Sequence, residues 1–184
     1  SSPIETCGGC IFWLDGTPNV NATLSKTGWC NATCTGSLYL DYKGIVSIAN
    51  GTFDGMPGLY SIYLRSNALT SIPADAFKHN TELRYLYLNN NALTSTHPDT
   101  FKYSTELYYL SLSNNALANL PVEAFRHNAK LRYLYLDNNA LTRLPADIFN
   151  HNLGLQYLRL DNNPFTSSPI ETCGGCIFWL DGTP

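Results

Sequence analysis

Between Leu59 and Phe165 the chain returns to the same apolar offsets every 24 residues. Leu59, Leu83, Leu107, Leu131 and Leu155 open a unit. Three positions on stand Ile62, Leu86, Leu110, Leu134 and Leu158, and two further on Leu64, Leu88, Leu112, Leu136 and Leu160. An asparagine follows at Asn67, Asn91, Asn115, Asn139 and Asn163, then an apolar residue at Leu69, Leu93, Leu117, Leu141 and Phe165. A phenylalanine recurs at Phe53, Phe77, Phe101, Phe125 and Phe149. An incomplete earlier copy runs from Thr35 with Leu38, Leu40, Ile45 and Ile48 in phase, and with Lys43 where the asparagine should be. A unit this short cannot bury its own leucines and its phenylalanine. Stacked units can, by sharing one continuous core, so stability must come from contacts between neighbours. The asparagine falls where the chain leaves the L-x-L segment. Its amide both donates and accepts, so a row of them can satisfy backbone groups that stacking would otherwise bury unpaired.

The pattern L-x-x-L-x-L-x-x-N-x-L resembles the leucine-rich repeat family in its 24-residue extracellular subtype, from Thr35 to about Thr166. The resemblance implies an α/β-type solenoid that is mostly β: a horseshoe with a parallel concave sheet and irregular or 3-10 convex turns. In one respect the chain departs from the family. Three residues after each phenylalanine, where family members usually carry leucine, stand Met56, Asn80, Ser104, Asn128 and Asn152. These predict either a second hydrogen-bonded row or a solvent-facing one, and the sequence leaves both open.

Residues 1–18, SSPIETCGGCIFWLDGTP, return letter for letter as 167–184. Diverged repeats share patterns, not strings, so the chain reads as a period of 166 residues with a short overlap, a window on a longer tandem polymer. The expected organisation is a cap or joint module over 1–34, a solenoid of about six repeats over 35–166, and the start of the next module over 167–184. Cys173 and Cys176 are second copies of Cys7 and Cys10, so one period holds Cys7, Cys10, Cys30 and Cys34. That even, clustered set predicts two disulfides in an oxidising compartment rather than a thioredoxin-type pair or a zinc site. Sequons at Asn21, Asn31 and Asn50, in and beside the cysteine module, point to an extracellular glycoprotein. By resemblance to family caps the pairing should be Cys7–Cys30 and Cys10–Cys34, with the crossed pairing also open. Each loop would contribute roughly 3 kcal/mol. Phe12 and Trp13 are expected to pack over the open end of a repeat stack.

Residues alternating with the leucines point out of the sheet, and here they are mostly tyrosine. One column reads Ser61, Tyr85, Tyr109, Tyr133 and Tyr157, and its neighbour Tyr39, Tyr63, Tyr87, Ser111, Tyr135 and Arg159. Tyr42, Tyr60 and Tyr108 are placed on the same strands. Strands about 4.8 Å apart allow ring ladders. Arg65, Arg84, Arg132, Asp137 and Arg159 should rim them. Such a face is both a packing device and a capable binding surface.

Charged residues make up 14% of the chain and the net charge is −3, which excludes a nucleic-acid footprint. No apolar run reaches the length of a membrane span. Most acids and all histidines fall at repeat positions. His79, His127 and His151 share one turn site, so repetition explains them better than metal binding. No catalytic site, cofactor or metal is expected. Two functions remain. The first is a structural extracellular glycoprotein whose units join end to end into a filament, its partner being itself. The second is a recognition ectodomain that binds an extracellular protein or glycan through the tyrosine face.

Overall fold

The computed structural model describes residues 3–7, 9–27 and 34–166, together with the backbone of 177–179. Its strands are β1 (Glu5–Cys7), β2 (Cys10–Asp15), β3 (Thr23–Thr27), β4 (Gly36–Tyr39), β5 (Ser47–Ile48), β6 (Leu59–Tyr63), β7 (Tyr85–Tyr87), β8 (Tyr109–Ser111), β9 (Tyr133–Tyr135), β10 (Tyr157–Arg159) and β11 (Ile177–Trp179). Turns and irregular segments join them, with no helix among the described residues. Seven strands form one parallel sheet in the order β11-β10-β9-β8-β7-β6-β4. The register matches residues 24 apart: Ile62 lies opposite Leu86, Leu86 opposite Leu110, Leu110 opposite Leu134 and Leu134 opposite Leu158. Each unit therefore makes one full turn of a mostly-β solenoid.

Sequence dictates where each strand stops. The residue before each ladder asparagine is left-handed: Ser66, Asn90, Asn114, Asn138 and Asn162 have φ between 53° and 58°. Asparagine tolerates that conformation better than other residues with a β-carbon, which accounts for the recurrent Asn-Asn pairs. The first asparagine bends the backbone and the second ties it down. In the incomplete first unit Tyr42 occupies the bend, at φ 58°, so it sits in the turn after β4 and not on the strand as the alternation suggested.

The ladder works by sharing. Asn91 Nδ2 donates to Leu64 O at 2.9 Å and Leu88 O at 3.0 Å. Asn115 donates to the same Leu88 O at 3.0 Å and to Leu112 O at 3.0 Å. Each Oδ1 accepts from the preceding turn, Leu93 N–H reaching Asn115 at 3.0 Å. Asn67, Asn139 and Asn163 repeat the arrangement, with Asn67 accepting from both Lys43 N–H and Ile45 N–H.

On the convex side the three asparagine substitutions form a second hydrogen-bonded row, buried away from solvent, while the Ser104 hydroxyl is buried without a partner. Asn80 Nδ2 donates to Phe53 O and Met56 O, Asn128 to Phe101 O and Ser104 O, and Asn152 to Phe125 O and Asn128 O, all between 2.8 and 3.0 Å. Beside this row runs the phenylalanine spine. Phe53–Phe77, Phe101–Phe125 and Phe125–Phe149 stack with centroids 5.7, 6.1 and 6.1 Å apart.

At the first turn the spine meets the cap. A second sheet runs β1-β2-β3-β5, with β1, β2 and β3 antiparallel in turn and β3 parallel to β5. Phe12 is fully buried, its ring 6.5 Å from that of Phe53. Trp13 is half-buried, and its Nε1 donates to Thr27 Oγ1 at 2.6 Å. The loop before β3 docks on Gly44, where Asn19 N–H donates to Gly44 O and an added Cβ would stand 2.6 Å from Pro18 Cβ.

A disulfide joins Cys7 to Cys34, which corrects the Cys7–Cys30 and Cys10–Cys34 pairing implied by family caps. The reason is the hairpin. β1 and β2 run antiparallel with Cys7 directly opposite Cys10, so sequence order does not carry over into spatial order. Cys10 is disulfide-bonded as well; Cys30, Cys173 and Cys176 lie outside the described residues. β11, from the second copy of the module, continues the concave sheet beyond β10.

Asn115→Ala takes one of two donors from the Leu88 and Leu112 carbonyls and leaves the Leu93 N–H without its acceptor inside the stack. It should destabilise the protein by about 2 kcal/mol, read as a lower denaturant midpoint. Ser104 is too short to reach the carbonyls of Phe77 and Asn80, its counterparts of the pairs that Asn128 and Asn152 engage. Ser104→Asn should therefore stabilise the fold by about 1 kcal/mol, raising the same midpoint.

Candidate functional site

The concave sheet presents the tyrosines as interlocked ladders. Tyr39, Tyr63 and Tyr87 stack nearly parallel, with centroids 4.8 and 4.6 Å apart and ring planes 17° and 8° from each other. Where Ser111 interrupts that column, Tyr109 leans across from the neighbouring one, 4.9 Å from Tyr87 and 5.2 Å from Tyr135. Tyr157 then meets Tyr135 at 5.3 Å and Tyr133 at 6.3 Å. At the other small residue, Ser61, Tyr60 fills the gap and lies 5.2 Å from Tyr85. Tyr108 leans on Tyr85 and Tyr133 at 6.0 and 5.5 Å. Serines 61 and 111 are both buried beneath these rings. The small residues are what knit two columns into one continuous aromatic floor.

Most of these rings are half-buried by one another. Tyr39 and Tyr42, at the first-turn end, are more open at 55% and 77% exposed. Burial pushes the Tyr109 hydroxyl up to about 12, with Tyr135 and Tyr87 adding to the effect. Burial also raises Tyr87, Tyr135 and Tyr108, while Tyr85 is raised first by its hydrogen bond with Tyr60. The floor is therefore neutral at physiological pH.

Arg65 clamps the first-turn end. It forks onto Asp41 through Nη2 and Nε at 2.7 and 3.0 Å and lies 5.2 and 5.4 Å from the Tyr63 and Tyr87 ring centres. Its guanidinium pKa is raised by the hydrogen bond to Asp41. Arg84 lies 5.3 Å from the Tyr60 ring centre and 3.9 Å from Glu106. Arg132 turns back toward the carbonyls of Ala129 and Leu131. Asp137 is not a rim residue. It is 3% exposed and accepts from Ser113 Oγ at 2.5 Å and Asn138 Nδ2 at 2.8 Å. Arg159 pairs with Asp161, also buried, at 2.8 Å and approaches Asp137 at 3.9 Å.

Asp41, Arg65, Asn89, Ser113, Asp137 and Asp161 thus form a third column, of which the sequence singled out only Arg65 and Asp137, as rim charges. It was findable: these residues lie two positions beyond the second tyrosine column, at the same 24-residue spacing. Of the sequons, Asn21 and Asn50 are exposed and Asn31 lies outside the described residues. Asn21 Oδ1 accepts from Thr17 N–H at 2.7 Å. Asn50 lines a convex-side cleft of about 420 Å³ with Asp54, Pro73 and His79. His79 approaches Asp54 at 3.9 Å, and His127 and His151 are exposed. Among the described residues no group of three metal-ligating side chains converges.

A profile described as "Leucine rich repeat" matches residues 36–93, 57–117, 81–141 and 105–165. Curated proteins compared by sequence give no match. Among solved structures the chain is similar to the LRIM1/APL1C complex, at 27% identity and a TM-score of 0.64 over 68% of this chain and 23% of that one. It is similar to the leucine-rich repeat domain of APL1B, at 27% and 0.65 over 69% and 38%. It is also similar to the glycosylated form of the Toll–Spatzle complex, a molecular hub in Drosophila development and innate immunity, at 30% and 0.65 over 70% and 17%. The chain thus spans less than two fifths of the length of each of these.

Tyrosine titrates near 10 in an unfolded chain, whereas the floor holds its protons longer. Between about pH 10 and pH 12 the unfolded state binds fewer protons than the folded one, so stability falls as pH rises. The denaturant midpoint should drop across that window while tyrosinate absorbance lags behind that of the unfolded chain. Tyr109→Phe should make the drop shallower.

Proposed function

The chain belongs to the leucine-rich repeat family, and from that premise we propose that it is an extracellular recognition module whose tyrosine floor binds a protein. The carrying observation is the orientation of the rings. Tyr63 is stacked on both faces, by Tyr39 at 4.8 Å and Tyr87 at 4.6 Å, and Tyr87 is covered by Tyr63 and Tyr109, so along the floor beyond Tyr39 edges and hydroxyls, not faces, point to solvent. A sugar binds an aromatic platform by lying on an open ring face. A polypeptide makes use of edges and hydroxyls, donating to and accepting from them along its backbone while filling the apolar gaps between rings. Tyrosine serves this well because it brings large contact area with few rotatable bonds.

The clamps at Arg65 and Arg159 add fixed charge at the two ends of a neutral floor, a pattern that sets partner register more than raw affinity. Protein complexes among the similar structures, LRIM1 with APL1C and Toll with Spatzle, support the reading. The disulfide at Cys7–Cys34 and the sequons support an extracellular setting, with glycans proposed at Asn21, Asn31 and Asn50. A covalent end-to-end filament, the other expectation from sequence, draws no support from these neighbours. Binding, not catalysis, is the activity.

The test is a binding screen of the purified chain against panels of secreted proteins and of glycans. A protein ligand is expected. Tyr60→Ala, Tyr85→Ala and Tyr133→Ala should each weaken it about 30-fold, the loss of about 2 kcal/mol typical of an interface anchor. Val122→Ser and Leu153→Ser, exposed and outside the sheet, should leave it unchanged. Ligands confined to glycans, or a protein ligand indifferent to all three tyrosines, would overturn the proposal.

A further inference from the structure

One stretch of sequence occupies two strand environments in this molecule. Ile11–Phe12–Trp13 lies in β2, antiparallel to β1 and β3, with Phe12 buried against Phe53. The same three residues at 177–179 form β11, parallel to β10 at the far edge of the concave sheet, Phe178 opposite Leu158. The identity extends over eighteen residues. Whatever complementarity residues 1–18 have for the first-turn end of the solenoid, residues 167–184 have in full.

We propose that the first-turn end is a docking site for the 167–184 segment of a second copy of this chain, so that copies associate head to tail by strand exchange. The receiving surface is formed by the free edge that β3 would offer once β2 leaves, by the Phe53 ring, and by Thr27, whose hydroxyl takes the tryptophan N–H. Contacts made by the incoming segment replace those of the resident one residue for residue, so exchange costs the short β10–β11 pairing, the resident segment's disulfides and the association itself. Head and tail surfaces differ, which makes the contact heterologous and the assembly open-ended. The Cys7–Cys34 bond and a second disulfide at Cys10 hold the resident segment in place. A dithiol reductant, itself oxidised to a disulfide, reduces both to thiols and frees the segment, so exchange is expected under reducing conditions. This association does not involve the tyrosine floor and stands apart from the recognition function.

Single substitutions in otherwise identical segments separate the two roles, read by light scattering on the full chain under reducing conditions. Phe12→Ser weakens the resident segment while leaving the segment that docks intact. It should shift the mass from 20.4 kDa to a concentration-dependent series of multiples. Phe12→Ser combined with Phe178→Ser should return it to the single-chain mass. A synthetic peptide of the shared eighteen residues should cap the Phe12→Ser series and dissolve it. If Phe12→Ser proves poorly folded, the same peptide should raise its melting temperature, and a peptide carrying serine in place of the phenylalanine should not. A Phe12→Ser chain that is folded and monomeric at every concentration overturns the proposal. So does a double variant that associates as strongly, or a poorly folded Phe12→Ser chain that the peptide fails to stabilise.

Discussion

The strand-end carbonyls of Leu64, Leu88, Leu112 and Leu136 each accept from two asparagines, one in their own turn and one in the next. That shared acceptor welds neighbouring turns together at the point where the backbone bends inward and would otherwise bury polar groups without partners. Apolar burial draws turns together but is indifferent to small slips between them. A buried carbonyl with two directional donors is not, because any displacement leaves part of the array unpaired at a cost of about 1–3 kcal/mol. The 24-residue register of the sheet, and hence every residue opposition on the concave face, follows from that lock.

The concave surface inherits its spacing from the same lock. With strands held in strict register, Tyr39, Tyr63 and Tyr87 fall one above another at stacking distance, while Tyr85, Tyr109, Tyr133 and Tyr157 stand 6.3–6.4 Å apart and tilted. The ladder's departures are informative. A serine in one column admits a ring from the next, as Ser111 admits Tyr109 and Ser61 admits Tyr60. The result is a floor whose rings are braced laterally, with their edges fixed before any ligand arrives. Preorganised edges lose little freedom on binding, which is where association usually suffers most.

The solenoid was legible because a short apolar pattern repeated many times admits one kind of solution, and the outward tyrosine columns followed from strand alternation. What sequence could not supply was the route of the chain where repetition fails. Tyr42 looks like a strand residue by type, yet it stands 24 residues before Ser66, in phase with Asn90, Asn114, Asn138 and Asn162, and takes the same left-handed bend. Asp137 looks like an exposed charge by type, yet Ser113 and Asn138 bury and satisfy it. The polar residues after the phenylalanines could have faced either way. Their burial depends on carbonyls of the preceding turn being within reach of a side-chain amide, a three-dimensional fact. The disulfide pairing stayed open between two arrangements because the sequence does not show the hairpin that sets Cys7 beside Cys10, and Cys7–Cys34 belongs to the crossed arrangement, not to the one implied by family caps.

Uniformity along the stack breaks in one place, and the two faces respond differently. In the unit after Leu93, Thr96, Thr100 and Ser104 stand where other units carry Ile72 or Leu120, Ala76 or Ala124, and Asn80 or Asn128. All three hydroxyls are buried without a protein partner. In a quasi-one-dimensional fold, stability is a sum over neighbouring interfaces, so three unpaired hydroxyls in this unit, against one unpaired amide oxygen at each of Asn80, Asn128 and Asn152, lower the local term there most. Across the same unit the concave side is continuous: Asn115 completes the ladder, and Tyr109 bridges Tyr87 to Tyr135.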